Sequence, residues 1–299
     1  MEILRHVYRH RFLRSEDLYA LMGRSQDRLS RRLTTLFRAE YLDRPSAQID
    51  RFRSGGMQPF VYGLGALGAK YLKEVAGMPV GSTDWRARNR SYTRENMEHT
   101  LAVSRFLVQL ELACRASGAP EFVCFEDILR AAPEPTRRSS QPMAWPVNVQ
   151  WHGGKSTVTL APDAMFALRV IKPDGSKARA NFFVEIDRGT MTVAPSQAAR
   201  ESDAFPFRAT VLRKLLAYAD SWRQKLHESR FGIKAPRVMF IGPSAPRTQS
   251  IQRAAFTFVV KPLGLPAGLF VFATQLNAQS PLNWGYADAA GDSVAMVGG

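Results

Sequence analysis

Cysteine is nearly absent: only Cys114 and Cys124 occur in 299 residues. Two such residues build no disulfide framework, and their spacing matches no zinc-ligand pattern. No apolar run approaches the roughly 20 residues a helix needs to cross a bilayer, so no membrane partner is expected. The opening segment, MEILRHVYRHRFLRSED, is crowded with charge and lacks the apolar core of an export signal. A cytoplasmic location with both thiols reduced follows as the expectation. No Ser-His-Asp or Cys-His arrangement has a supporting context, and no internal repeat is found. Gly63, Gly65 and Gly68 spell GxGxxG, but without the strand-helix-strand setting that a dinucleotide site requires.

What the chain has in excess is positive charge, +15 overall. Residues 1–94 hold 18 Lys+Arg against 9 Asp+Glu, and 16 of those 18 cations are arginine. The planar guanidinium fork suits phosphate oxygens and guanine edges better than the point charge of lysine does. Hydrophobic residues make up 45%, enough for packed cores, and the length suits two domains at about 150 residues each.

The first domain reads as helix, helix-turn-helix, hairpin, helix. Ile3, Leu4, Val7, Tyr8 and Phe12 have near-helical spacing. Ser15 is the expected cap of a second helix, EDLYALMG, which stops at Gly23. Arg24 and Ser25 form the turn. A third helix, QDRLSRRLTTLFRAE, puts Leu29, Leu33, Leu36 and Phe37 on one stripe and Arg28, Arg31, Arg32, Thr35 and Arg38 elsewhere. A recognition helix needs that division, with core packing behind and groove contacts in front. Two β segments around Gly55-Gly56 make a wing that carries Arg51 and Arg53, and ALGAKYLKEVAG closes the unit. The expected DNA-binding residues are Arg24, Ser25, Gln26, Arg28, Arg31, Arg32, Thr35, Arg51 and Arg53, and the partner is double-stranded DNA. The domain is expected at 1–76, with a basic linker over 77–93. His6 and His10 have a metal-capable i, i+4 spacing, yet among arginines they are expected to face phosphate or solvent.

The second domain is expected at 94–280. It opens with an amphipathic helix over 94–117, whose His99 is expected to be hydrogen-bonded at the core boundary. FVCFEDIL reads as a strand and 132–146 as an exposed loop. STVTLAPDAMFALRV reads as strand, turn, strand, and its second strand pairs with NFFVEIDRGT as a hairpin. A helix over 208–227, the strand APRVMFIGP, the helix SIQRAAFTFVVKP and the strand GLFVFATQ complete a mixed α/β sheet. Residues 281–299 are expected to be a loose tail.

Asp163 opens one strand of the hairpin, and Glu185 and Asp187 close the other. Strand geometry sets residues i and i+2 on one side, so three carboxylates converge. Such hard oxygens suit Mg²⁺ or Mn²⁺, which activates water and stabilises charge on phosphate. The same acids also suit a structural use, pairing with Arg188 or capping the loop at Gly189-Thr190.

Pro162-Asp163 followed by Glu185-Ile186-Asp187 on paired strands, between two helices, resembles the PD-(D/E)xK nuclease core, a restriction-endonuclease-like fold. The wider arrangement resembles the replication-relaxation family of plasmid, phage and integrated elements: VYGLGALGAKYL, EHTLAVSRFLVQL, APDAMFAL, FFVEIDRGT and KLLAY. The resemblance covers roughly 15–245. It implies a winged helix-turn-helix joined to a nuclease-like α/β domain, acting in replication, relaxation or transfer of a mobile element. The nuclease pattern places lysine where this chain has Asp187, followed by Arg188, which is too basic to accept a proton. The following helix offers Lys214 instead. The catalytic candidates are therefore Asp163, Glu185, Asp187 and Lys214, with the three acids as metal ligands. Three readings stay open: a mobile-element DNA-binding protein with a nuclease-like domain, an active Mg²⁺-dependent endonuclease, and a winged-helix regulator whose second domain dimerises or binds other mobile-element proteins.

Overall fold

A computed structural model describes residues 1–49, 59–78, 80, 84–151, 154–172, 174–200, 209–275 and 279–297. The fold is mixed α/β. The chain divides into two compact units, Met1–Leu112 and Ala113–Gly299.

In the first unit, helix α1 (Glu2–His10) buries Ile3, Leu4 and Val7. His6 and His10 lie on that same stripe and are buried too, where solvent or phosphate contact was expected. The reason is the helical period, which puts 3, 6, 7 and 10 on one face. Burial, with Arg9 and His6 nearby, lowers the His10 pKa to about 3, so the ring is neutral. Phe12 starts strand β1 (Phe12–Arg14) rather than ending the helix. Helix α2 (Ser15–Met22) is capped by Asp17, whose Oδ2 accepts from the Arg14 N–H at 3.1 Å; Ser15 itself is in the first turn. Gly23 ends that helix at φ 58, a conformation glycine adopts without strain. Helix α3 (Gln26–Arg38) buries Leu29 and Leu33 and half-buries Leu36 and Phe37.

Strands β2 (Leu42–Asp43) and β3 (Val61–Leu64) complete an antiparallel sheet ordered β1-β3-β2. The loop with Gly55, Gly56, Arg51 and Arg53 lies outside the described residues. Helix α4 (Ala66–Glu74) follows. Its approach explains the GxGxxG spelling. A Cβ on Gly65 would lie 2.2 Å from the Glu40 carbonyl oxygen, and one on Gly68 would lie 2.1 Å from that of Tyr41. These glycines admit a neighbouring backbone, not a pyrophosphate.

The segment read as a linker holds helix α5 (Trp85–Arg90), whose Trp85 joins the core of Leu18 and Leu33. Asn89 donates from Nδ2 to Asp43 at 2.7 Å and to the Leu64 carbonyl at 3.1 Å, which ties α5 to two strands. Helix α6 (Arg94–Ser117) spans the predicted range, and the division between units falls within it, after Leu112. Half-buried His99 has an interaction partner.

In the second unit, strand β4 (Glu121–Val123) gives way at once to helix α7 (Phe125–Ala131), so FVCFEDIL is strand and helix. The expected loop contains helix α8 (Glu134–Arg138) and runs into strand β5 (Trp145–Trp151). Among the described residues strand β6 (Gly154–Leu160) pairs with β5 alone, in a separate two-stranded sheet. Strands β7 (Ala164–Ile171) and β8 (Lys177–Ile186) form the expected hairpin. Short helix α9 (Gln197–Arg200), helix α10 (Val211–Arg223), helix α11 (Leu226–Phe231), strand β9 (Pro236–Gly242) and helix α12 (Ala245–Ala255) follow. A π-helical turn at Phe256–Val260 leads through helix α13 (Lys261–Leu263) to strand β10 (Phe270–Thr274). Strand β11 (Ala287–Asp288) pairs with β10, and Trp284, Tyr286 and Met296 are buried, so much of the expected tail is fixed to the sheet.

The main sheet is ordered β11-β10-β9-β8-β7-β4, with β8, β9 and β10 parallel and the rest antiparallel. Helix α10 starts where Thr210 Oγ1 accepts from the Arg213 N–H at 3.1 Å, and it buries Leu212, Leu215, Leu216 and Ala219.

Gly68→Ala is expected to lower unfolding free energy by about 1–3 kcal/mol, the usual cost of overpacking. Denaturant titration measures this, and an unchanged midpoint would contradict the close backbone approach.

Candidate functional site

The arginines of the first unit fall into two groups. Several are engaged within it. Arg9 pairs with Glu111 at 3.5 Å, Arg14 with Glu98 at 3.3 Å and Arg86 with Glu40 at 3.0 Å. The Arg11 guanidinium sits 4.6 Å from the Phe12 ring, 4.8 Å from Trp85 and 5.0 Å from Tyr92. Arg44 lies 4.5 Å from Phe37 and 4.0 Å from Phe60, and it donates to the Tyr62 hydroxyl at 2.8 Å. Ring faces attract a cation through their quadrupole, so these two arginines act as packing groups.

The second group lies on and before α3. Arg24, Ser25, Gln26, Arg28, Arg31, Arg32, Thr35 and Arg38 are all exposed. Arg24 approaches Glu2 at 3.7 Å, and Thr35 Oγ1 donates to the Arg31 carbonyl at 3.0 Å. Among the described residues, Arg28, Arg31, Arg32 and Arg38 make no ion pair. The exposed Tyr19 and Ser30 hydroxyls meet at 2.8 Å and fix α2 against α3. The helix therefore offers a row of unmatched guanidinium groups, held by Leu29 and Leu33 from behind.

The acids lie at one end of the hairpin in the second unit. Asp163, just before β7, accepts from the Ile186 N–H at 2.8 Å, and its own N–H donates to the Val184 carbonyl at 3.0 Å. Glu185 is buried. Its Oε1 accepts from the Tyr218 hydroxyl at 2.7 Å, and its Oε2 is ion-paired with Lys214. Lys214 and Tyr218 are one turn apart on α10, so a single helix face grips the carboxylate. The structure thus brings Asp163, Glu185 and Lys214 together.

Asp187 has a different environment. It stands one residue past β8, and Arg247 in the first turn of α12 holds both its oxygens, at 2.7 and 2.9 Å. The Gly189 N–H adds a third bond at 3.1 Å. Sequence reasoning missed Arg247 and Tyr218. Arg247 had no motif to mark it. Tyr218 was legible only as a residue one turn from Lys214.

Burial and the charge of Asp163 raise the Glu185 pKa from 4.5 to about 7, against the pull of Lys214 and Tyr218. Lys214 loses hydration, which lowers its pKa, but Glu185 and Asp163 outweigh that and raise it overall. Burial and then Glu185 push the Tyr218 hydroxyl well up, so it remains a donor.

The donor set does not suit a three-carboxylate ion. Both Glu185 oxygens have partners, Asp187 is chelated by a guanidinium, and no group of three His, Cys, Asp or Glu poised for a metal occurs among the described residues. What the arrangement can do is hold one proton: a buried carboxyl with a pKa near neutrality, between an ammonium and a phenol.

Fold and site together define a two-unit α/β protein with an acid-lysine cluster at the strand ends of a mixed sheet. The replication-relaxation family model matches residues 4–235, most of the chain, and the protein belongs to that family. Membership suggests a role in replication or relaxation of mobile elements. No curated protein and no solved structure matches. Among the described residues no helix is long and apolar enough to cross a membrane.

A carboxyl whose folded pKa exceeds its unfolded value stabilises the fold fully at pH below about 4.5, and that contribution is lost as pH rises to about 7. Thermal stability should carry this downward component across that window, and Glu185→Gln should abolish it. Lys214→Met should move the carboxyl titration above 7, and Tyr218→Phe should move it the same way. Carbon-detected NMR of labelled glutamate reads the midpoint; no upward shift in Lys214→Met would refute the assigned pairing.

Proposed function

We propose that this protein binds double-stranded DNA through α3 and serves replication, relaxation or transfer of a mobile element. The observation that carries this reading is the row of exposed arginines on α3 without carboxylate partners among the described residues. Phosphate contacts by such side chains release counterions, which makes binding strongly salt-dependent. The order helix, strand, helix, helix, strand, strand supports a winged helix-turn-helix, in which α3 enters the major groove. Gly23 in the turn between α2 and α3 fits that motif.

The second unit supports a nuclease-like reading in its topology: an acid before one hairpin strand, an acid near the end of the other, and a helix lysine beside them. Its chemistry points to a domain that does not cut. A Mg²⁺- or Mn²⁺-dependent endonuclease would need Glu185 released from Lys214 and Asp187 released from Arg247, and both acids have the partners that burial demands. The regulator reading, with a dimerising second unit, has no specific observation in its favour.

Changing Arg28, Arg31 or Arg32 to alanine should flatten the log-log salt dependence of duplex binding by about one unit each. Gel-shift titrations across a salt series test this, and parental affinity in the triple variant would remove α3 from the interface. Supercoiled plasmid with Mg²⁺ or Mn²⁺ should stay uncut by the parent protein. Nicking that disappears in Asp163→Ala and Glu185→Ala would establish the endonuclease instead.

A further inference from the structure

The second unit has two concavities that share Gln150 and Lys155. The first, about 490 Å³, is walled by Trp151, Leu216, Phe258 and Leu263, with Lys155 and Arg200 as its cations. Among the described residues it is lined by no carboxylate. The Arg200 guanidinium lies 4.4 Å from the Phe258 ring, and the Trp151 indole donates to the Arg200 carbonyl, so the aromatic and basic groups are fixed together. Phe258 comes from the π-helical turn, a rare conformation that recurs at functional sites. The second concavity, about 620 Å³, is polar, with Asn148, Thr157, Arg223 and Gln224 among its lining. Among the described residues its one acid, Asp220, is paired with Arg223 at 3.1 Å and accepts from the Gln150 N–H.

We propose that these neighbouring concavities bind single-stranded DNA: an unpaired base enters the aromatic one, and the adjoining sugar-phosphate lies along the polar one past Lys155. Aromatic walls and guanidinium planes stack any base, and cations beside them take the phosphate. The polar extension beyond the aromatic site favours a polymer over a free mononucleotide. Such a site suits a protein handling DNA whose strands have parted, so the inference rests on the DNA reading above, though on different residues.

The test uses the full chain, a dye-labelled oligothymidylate, thymidine monophosphate as competitor and a blunt duplex. Lys155 and Thr257 are both exposed, so Lys155→Glu and Thr257→Trp leave the core intact, which unchanged melting curves verify. Each variant should weaken oligothymidylate binding on the order of tenfold, the scale of one lost base stack, with duplex affinity preserved. Parental binding of the oligonucleotide by both variants would overturn the proposal, as would failure of the parent to bind it. Monophosphate binding as tight as the oligonucleotide would assign the site to a free nucleotide and overturn the strand. Loss of duplex binding alone in the α3 variants, with oligothymidylate binding retained, keeps the two surfaces distinct. A parent that binds the oligonucleotide but no duplex sinks only the α3 reading.

Discussion

A guanidinium cannot shed its proton in a folded protein, so every arginine near a core must find an acid, a ring face or water. That constraint organises the first unit. Arg9, Arg14 and Arg86 take acids. Arg11 and Arg44 take aromatic rings, and in doing so they tie neighbouring segments together: Arg11 joins Trp85 of α5 to Phe12 of β1, and Arg44 joins Phe37 of α3 to the strand that starts after Phe60. Only after these demands are met does the α3 face stand out. Its arginines are left to water, whereas those nearer the core are matched with acids or ring faces.

The same rule works with opposite sign in the second unit. A carboxylate carried below the surface at a strand end loses hydration, and the loss costs several kcal/mol unless a partner or a proton offsets it. Glu185 has both remedies: Lys214 and Tyr218 as partners, and a pKa raised far enough to accept a proton near neutral pH. Asp187, a residue beyond the strand, is met by Arg247 at the start of a helix, where the helix dipole also favours negative charge. Helices α10 and α12 are thereby anchored to the sheet by ionic contacts as well as by apolar packing, through Leu212 and Leu215 in α10 and Ile251 in α12.

Periodicity made much of this legible. The stripe of Leu29 and Leu33, the glycine stop at Gly23, the helix over 94–117 and the β7-β8 hairpin all follow from local spacing and cap chemistry. Misreadings came where a local signal was outweighed by distant packing. Trp85 drew a basic, glycine-flanked segment into the first core. Strand β5 was hidden behind a proline-rich stretch, and its alternation shows only once α10 is there to cover it: Trp145 donates to Ser221, and the Gln150 N–H to Asp220. The histidines at 6 and 10 were judged by their arginine neighbours in sequence, whereas the helix turns them inward. At the strand ends the acids and Lys214 are legible in the sequence and Arg247 is not, because it lies 60 residues beyond Asp187.

The pairings at the strand ends also show how the chain accommodates an acid at position 187, where the sequence resemblance calls for a lysine. An aspartate at 187 in place of a lysine changes the local charge by two and leaves Asp163, Glu185 and Asp187 with no cation from that position. Lys214 restores the ammonium from the following helix, to Glu185. Arg247 neutralises the newly placed acid. Lys214 thus answers Glu185 and Arg247 answers Asp187, while Asp163 accepts from the Ile186 N–H. Two fixed positive charges so placed weaken the field that would attract a divalent ion. The strand ends therefore keep their acids by pairing them with cations of the helices that follow.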